Sequence, residues 1–350
     1  MPQVIDLFCG CGGTSAGLRA AGMKIGVGVD NDPEAAATYR HNFSNAQFFE
    51  EDVRTLDIAA LADCVDSKSG PIVLAACAPC QPFSTIRGIG RRTSGKTLLL
   101  ALVPIIDRVR PDYVLVENVP GIQEDSRHRS FGRFVGALRA RGFHVAWEVV
   151  DCRAYGVPQR RRRLVLIASG HGRIGVPSPT HGPSLKPLST VGEWIAGLPP
   201  LAAGEIHPVI ANHRCGALGP VNLQRIRATD EGGDRESWPD ELWLDCHRAR
   251  RGHQDAYGRL HRNRPAPVLT TKCTGFTNGR FGHPTQDRAI SVREAACLQT
   301  FPRNFEFLGG LRSTSRQVGN AVPVLLAQRI GETVVADVEA RAIASGLLVP

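Results

Sequence analysis

The sequence predicts an α/β protein on a doubly wound, mostly parallel sheet, with a smaller irregular domain in its second half. Three observations carry this. Short β-rich runs alternate with longer helical patterns over the first 170 residues, as in a series of βαβ units. Five consecutive predicted strands end on a glycine, an acid or a reactive side chain. From about Gly170 the chain turns rich in Gly, Pro, His and Arg and loses helical periodicity.

In order, residues 4–8 read as a strand, followed by a glycine turn and a helix over 14–21. A second strand covers 25–29, and a helix over 33–41 carries Pro33 near its first turn, where a missing N–H costs nothing. Residues 48–50 are a weak third strand and 72–76 a clearer fourth. A helix over 97–110, a strand over 113–116 and a helix over 131–141 follow, then two expected sheet-edge strands at 144–150 and 164–168. Residues 171–290 are expected to form a second domain with short strands, and helical patterns return at 292–299 and 325–344. The domain reading is thus 1–170 completed by 291–350, with 171–290 inserted.

Apolar residues at 42% and charged residues at 21% describe a globular chain, and no apolar stretch approaches the roughly 20 residues of a membrane helix. No secretory signal is visible at the N-terminus, so a cytoplasmic protein is expected, and its ten scattered cysteines do not resemble a disulfide framework. Forty-two basic against 33 acidic residues give a net charge of +9, which suits a polyanionic partner.

Ligands of open α/β sheets bind outside the carboxyl ends of the strands. There the sequence places Gly10-Cys11-Gly12-Gly13, Asp30, Asp52, Pro79-Cys80 and Glu117-Asn118 in succession. The glycines permit a tight turn and close backbone approach, but Ser15 stands where the dinucleotide fingerprint needs its third glycine. An acid ending the second strand suits a ribose hydroxyl pair. Taken alone, Gly10–Gly13 could equally be an ordinary turn and Asp30 a helix cap.

Two other patterns lead elsewhere. Residues 90–97 match the phosphate-loop pattern GxxxxGK[ST], but no strand leads directly into them, as phosphate cradling requires. Cys77-Ala-Pro-Cys80 is a CxxC, yet no downstream CxxC or HxxxH completes four zinc ligands. Cys77 also falls at an apolar strand, where a buried structural thiol is the simpler reading. No metal is expected.

Asp6-Leu-Phe-Cys-Gly-Cys-Gly-Gly13, Pro79-Cys-Gln-Pro-Phe-Ser84, Glu117-Asn-Val119, Gln159-Arg-Arg-Arg-Arg163 and Gln317-Val-Gly-Asn-Ala-Val-Pro323 occur in this order. The series resembles the ordered motifs of the DNA cytosine-5 methyltransferases, most closely the bacterial and phage modification methylases. It covers most of residues 1–170 and 260–335. Residues 171 to about 255 carry almost none of it, as suits that family's variable target-recognition region.

The resemblance implies a Rossmann-like, S-adenosylmethionine-dependent methyltransferase that modifies carbon 5 of a flipped-out cytosine. Cys80 matches the nucleophile that adds to carbon 6, splitting one hard step into two easier ones. Glu117 matches the carboxylate at ring nitrogen 3, and Arg161 and Arg163 match arginines that hold the base. For the cofactor it assigns Phe8, Gly10 and Gly12 to the methionine moiety, Asp30 and Asn31 to the ribose and adenine side, and Asp52 with Val53 to adenine. Leu98, Asn320 and Val322 match further contacts, so the two ends of the chain are expected to meet at the cofactor.

Three departures stand out: Ala78 replaces a proline, Asn31 replaces an aromatic, and the Arg- and Gly-rich segment 84–94 reads as a lid over DNA. The implied partner is double-stranded DNA bound by a monomer, with a cognate restriction endonuclease or defence system as the candidate protein partner. Base readers are expected among Arg225, Arg227, Arg248, Arg250 and Arg251, interleaved with His213, His247 and His253. An RNA cytosine-5 methyltransferase of the same fold is the alternative. The long Arg- and His-rich insert favours duplex DNA.

Overall fold

The computed structural model describes residues 1–78, 98–123, 130–249 and 255–346. Its strands are β1 (Gln3–Leu7), β2 (Lys24–Val29), β3 (Gln47–Phe49), β4 (Ile72–Ala76), β5 (Tyr113–Asn118), β6 (His144–Asp151) and β7 (Arg162–Ser169). The helices are α1 (Gly13–Ala20), α2 (Pro33–Asn42), α3 (Ile58–Ala62), α4 (Leu98–Val109), α5 (Ser130–Ala140), α6 (Val191–Ile195), α7 (Pro220–Arg227), α8 (Asp245–Ala249), α9 (Val292–Leu298), α10 (Leu311–Asn320) and α11 (Val324–Ala344). None of them is long and apolar enough to cross a membrane.

The chain divides into two compact units, residues 1–152, 162–179 and 322–350 forming one and residues 153–161 and 180–321 the other. Residues 291–321 thus belong to the second unit, together with residues 153–161 and 180–290, and only residues from 322 onward join the first.

In the first unit all seven strands join one sheet in the order β3-β2-β1-β4-β5-β7-β6. Strands β1 to β5 pair in parallel, whereas β7 runs antiparallel to both β5 and β6. Of the two strands expected at the edge, only β6 lies there. β7 is interior, and its run from Leu164 to Ser169 is buried throughout, as a strand with neighbours on both sides requires. One sheet face, through Ile5, Leu7, Leu74, Val114 and Leu166, packs on Leu61 of α3, Leu102 and Ile106 of α4 and Phe134 of α5.

Helix α11 returns from the end of the chain to lie against α1. A side chain at Gly17 would meet the Val324 carbonyl and the Ala327 methyl at 2.5 Å, and one at Gly331 would meet Ala21 at 2.7 Å. Glycines on both helices therefore allow the close crossing. Tyr113 Oη donates to Asp337 at 2.6 Å and Arg341 donates to the same carboxylate at 2.8 Å, tying the far end of α11 to the sheet.

The second unit departs from expectation: among its described residues there are isolated bridges but no strands. Buried arginines take the place of β-ladders, each guanidinium offering five donors to carbonyls that no ladder satisfies. Arg259 donates to the carbonyls of Ile226, Thr229, His283 and Gln286. Arg288, fully buried, forks onto Glu294 at 2.7 Å, and Glu294 also closes a capping box with Ser291 at the start of α9. A small core of Ile226, Trp238, Phe276 and Ala289 lies alongside.

Candidate functional site

The turn after β1 is shaped by backbone conformations that favour glycine. Gly10 and Gly12 adopt φ of 53° and 97°, and Phe8, without that freedom, is held at 56°. A side chain at Gly12 would lie 2.4 Å from the Phe43 ring, whereas one at Gly10 would meet nothing within 4 Å. Gly10 therefore turns its backbone toward open space where a ligand can approach.

Asp30, at the end of β2, accepts from the Gly10 amide at 2.8 Å and from the Asp32 amide at 2.9 Å. Burial raises its pKa above the ordinary carboxylate value, and the two amides oppose that shift. Asn31 beside it is exposed. Asp32 caps α2 by accepting from the amides of Glu34 and Ala35. After β3, Asp52 is gripped by Arg54, Nε to Oδ1 at 2.8 Å and Nη2 to Oδ2 at 2.5 Å. That side-chain hydrogen bond lowers the Asp52 carboxyl to about 2. Val53 and Leu98 are buried.

Sequence reasoning passed over the polar chain behind this turn. Ser15 donates to Asp6 Oδ2 at 2.7 Å and lies 2.8 Å from Tyr39 Oη. Because the Ser15 proton is spent on Asp6, Tyr39 donates to Ser15. Asp6 is fully buried, and desolvation pushes its carboxyl up to about 7.

At the next strand ends, Arg163 Nε lies 2.7 Å from Glu117 Oε1, both side chains being nearly buried. Asn118 Nδ2 donates to the Ala78 carbonyl at 2.9 Å, and its Oδ1 accepts from the Val119 amide at 2.8 Å. Cys77, just past β4, sits 3.1 Å from Thr14 Oγ1, and burial pushes its thiol well above the ordinary value. An apolar cavity lined by Thr14, Leu18, Cys77, Glu117, Val322 and Ala327 brings residues from both ends of the chain together. Cys80 and segment 84–94 lie outside the described residues.

Arg161 and Asn320 belong to the second unit. Arg161 is buried, and its guanidinium donates to the carbonyls of Leu269 and Ala321, both at 3.3 Å. Asn320 is exposed at the end of α10. Two residues expected to read DNA are structural here. Arg225 is buried over Trp238 and Tyr257 and donates to the Leu242 carbonyl, while His213 is buried between Ser291 and the Pro199 carbonyl. Arg227 and Arg248 are exposed, His247 is half-buried against Tyr257, and Arg250, Arg251 and His253 lie outside the described residues.

Residues 2–336 match the sequence profile of the family described as C-5 cytosine-specific DNA methylase. The chain is 40% identical over 337 residues to Type II methylase M.HgiDII of Herpetosiphon aurantiacus, covering 95% of this chain and 94% of the relative. It is 34% identical to Type II methyltransferase M1.HphI of Haemophilus parahaemolyticus, covering 94% of this chain and 86% of the relative. A prophage-encoded DNA modification methyltransferase of E. coli superposes with a TM-score of 0.77 at 21% identity, covering 97% of this chain and all of that one. At that identity the likeness speaks to fold alone.

Proposed function

Because the chain belongs to the C-5 cytosine-specific DNA methylase family, we propose that it transfers a methyl group from S-adenosylmethionine to a cytosine of duplex DNA through a covalent Cys80 adduct. The observation that carries the reading is the Asn118–Ala78 hydrogen bond. It ties the segment leading into Cys80 to the strand end bearing Glu117. A thiolate at Cys80 adds to carbon 6 of the base, and Glu117 hydrogen-bonds or protonates ring nitrogen 3 as electron density enters the ring. Arg163 holds Glu117 in place. The bound cofactor supplies an electrophilic methyl group. Loss of the carbon 5 proton then lets the thiolate leave, restoring the ring and the enzyme.

The residues of the first unit suit this cofactor. Gly10 faces open space, and Asp30 is preset by two amides with lone pairs left for ribose hydroxyls. Phe8 and Gly12 shape the methionine end, Asn31, Asp52 and Val53 serve the adenine end, and Leu98 and Val322 complete the contacts of this unit. The relatives' Type II names support a place in restriction-modification, beside a cognate endonuclease. On this reading the protein is cytoplasmic and acts on DNA as a monomer. Expression in a methylation-free bacterial host followed by bisulfite sequencing tests the reading. Protected cytosines in one sequence context are expected, and uniformly converted DNA would refute it.

A further inference from the structure

Strand β6 ends one side of the sheet, and its sequence does little to guard that edge. At 8 residues it is longer than the usual strand of about 5–6, and it pairs with β7 from His144 to Asp151 with no bulge. It contains neither Pro nor Lys, residues that commonly blunt such edges, and its acids Glu148 and Asp151 stand toward its far end. In an antiparallel ladder alternate residues turn their N–H and C=O groups away from the neighbouring strand. Among the described residues, the backbone from His144 to Val150 makes no hydrogen bond outside the ladder with β7.

An open groove of about 470 Å³ lies beside the His144 end of this strand. Phe143, Val145, Ala146 and Ile174 give it an apolar lining, while Arg139 at the end of α5 and Arg173 after β7 bring charge of one sign. Both arginines are exposed, and among the described residues neither has a carboxylate partner. The acids of the flanking elements are already taken: Asp107 by Arg141, Asp112 by His171 and Asp337 by Arg341. Farther along the edge Trp147 is 40% exposed and stands edge-on to Phe131 at 5.3 Å, offering an apolar wall.

We propose that this edge docks an acidic, extended segment of a partner protein, which adds to the sheet beside β6 with its acids against Arg139 and Arg173. In strand addition of this kind the main chain supplies affinity, and the pockets along the edge supply specificity. Here the free groups of β6 offer the first, and an apolar groove with unmatched guanidinium groups offers the second. Glu148 repels a like charge, so the acids of the added strand are confined to the His144 end and its orientation is set. A phosphate backbone could meet the arginines, but it has no donors for the free carbonyls and nothing apolar for Phe143 and Ile174.

The test uses the full chain and a fluorescent peptide that carries paired glutamates at one end, followed by alternating Thr and Val. It should bind saturably and slow hydrogen exchange across residues 144–150. Versions with lysines for the glutamates, or with a proline within the Thr–Val run, should bind at least about tenfold more weakly. Arg139→Glu with Arg173→Glu should weaken the glutamate peptide by about tenfold while leaving DNA methylation unchanged. No saturable binding, equal binding by the reversed-charge variant, or equal binding of the proline peptide would overturn the proposal. Should that variant fail to fold, exchange in the wild type with the glutamate and lysine peptides decides: equal protection of 144–150 by both, or by neither, overturns it. A short DNA duplex that protects 144–150 would assign the groove to nucleic acid, and protection rising with protein concentration alone would assign it to a second copy. Either result would also overturn the proposal.

Discussion

Asn118 donates from Nδ2 to the carbonyl oxygen of Ala78 at 2.9 Å, joining the end of β5 to the residue two places before Cys80. The same side chain accepts from the Val119 amide, so its amide plane is fixed at both ends. Asn118→Ala should lower single-turnover methyl transfer by about a hundredfold, the scale on which small misplacements act. S-adenosylmethionine binding should change little. Asn118→Asp keeps the acceptor and loses the donor, so it should fall nearly as far. A wild-type rate in either variant would remove this strut from the account.

The Glu117–Arg163 pair should act as a unit. Glu117→Gln is expected to slow the chemical step by about 10²- to 10⁴-fold, the range of a positioned acid. Arg163→Ala should slow it comparably, and the double variant little more than either alone. A stepwise, multiplicative loss in rapid-quench kinetics would separate the two residues.

Asp6 predicts a stability profile. Its folded pKa of about 7 lies above the ordinary value of 3.8, so the folded state keeps a proton that the unfolded chain releases. Stability should therefore decline as pH rises from about 4 to about 7 and level off beyond. Asp6→Asn should flatten that slope, gaining on the wild type toward neutral pH. Melting temperatures that run parallel across the window would contradict it.

Most of the first unit was legible because its inner strands are buried on both faces and its motifs punctuate their ends. The second unit was not. Its arginines look like a nucleic-acid surface in sequence, yet Arg225, Arg259 and Arg288 spend their donors inside. α10 was missed for a related reason: it buries Ser313, Thr314, Ser315 and Gln317, so no apolar period marks it. Asn118 stood inside a quoted motif, but only the carbonyl it meets gives it a task.

This division of the arginines can be measured. Arg225→Ala should destabilise the protein by about 2 kcal/mol, through lost ring contacts and an unmet carbonyl, without altering the methylated sequence. Arg227→Ala, at an exposed side chain, should leave stability unchanged and weaken DNA binding several-fold. The reverse pattern in thermal melts and DNA titrations would reassign both.

The central claim is the covalent step at Cys80. A duplex bearing 5-fluorocytosine at the methylated position places fluorine where the departing proton would be, so release stalls after methyl transfer. With S-adenosylmethionine present, the wild type should form a denaturant-stable protein–DNA adduct, and peptide mass spectrometry should locate it on Cys80. Cys80→Ser should form none. A wild type that methylates the natural duplex yet yields no adduct on the fluorinated one, or an adduct on another residue, would contradict the account.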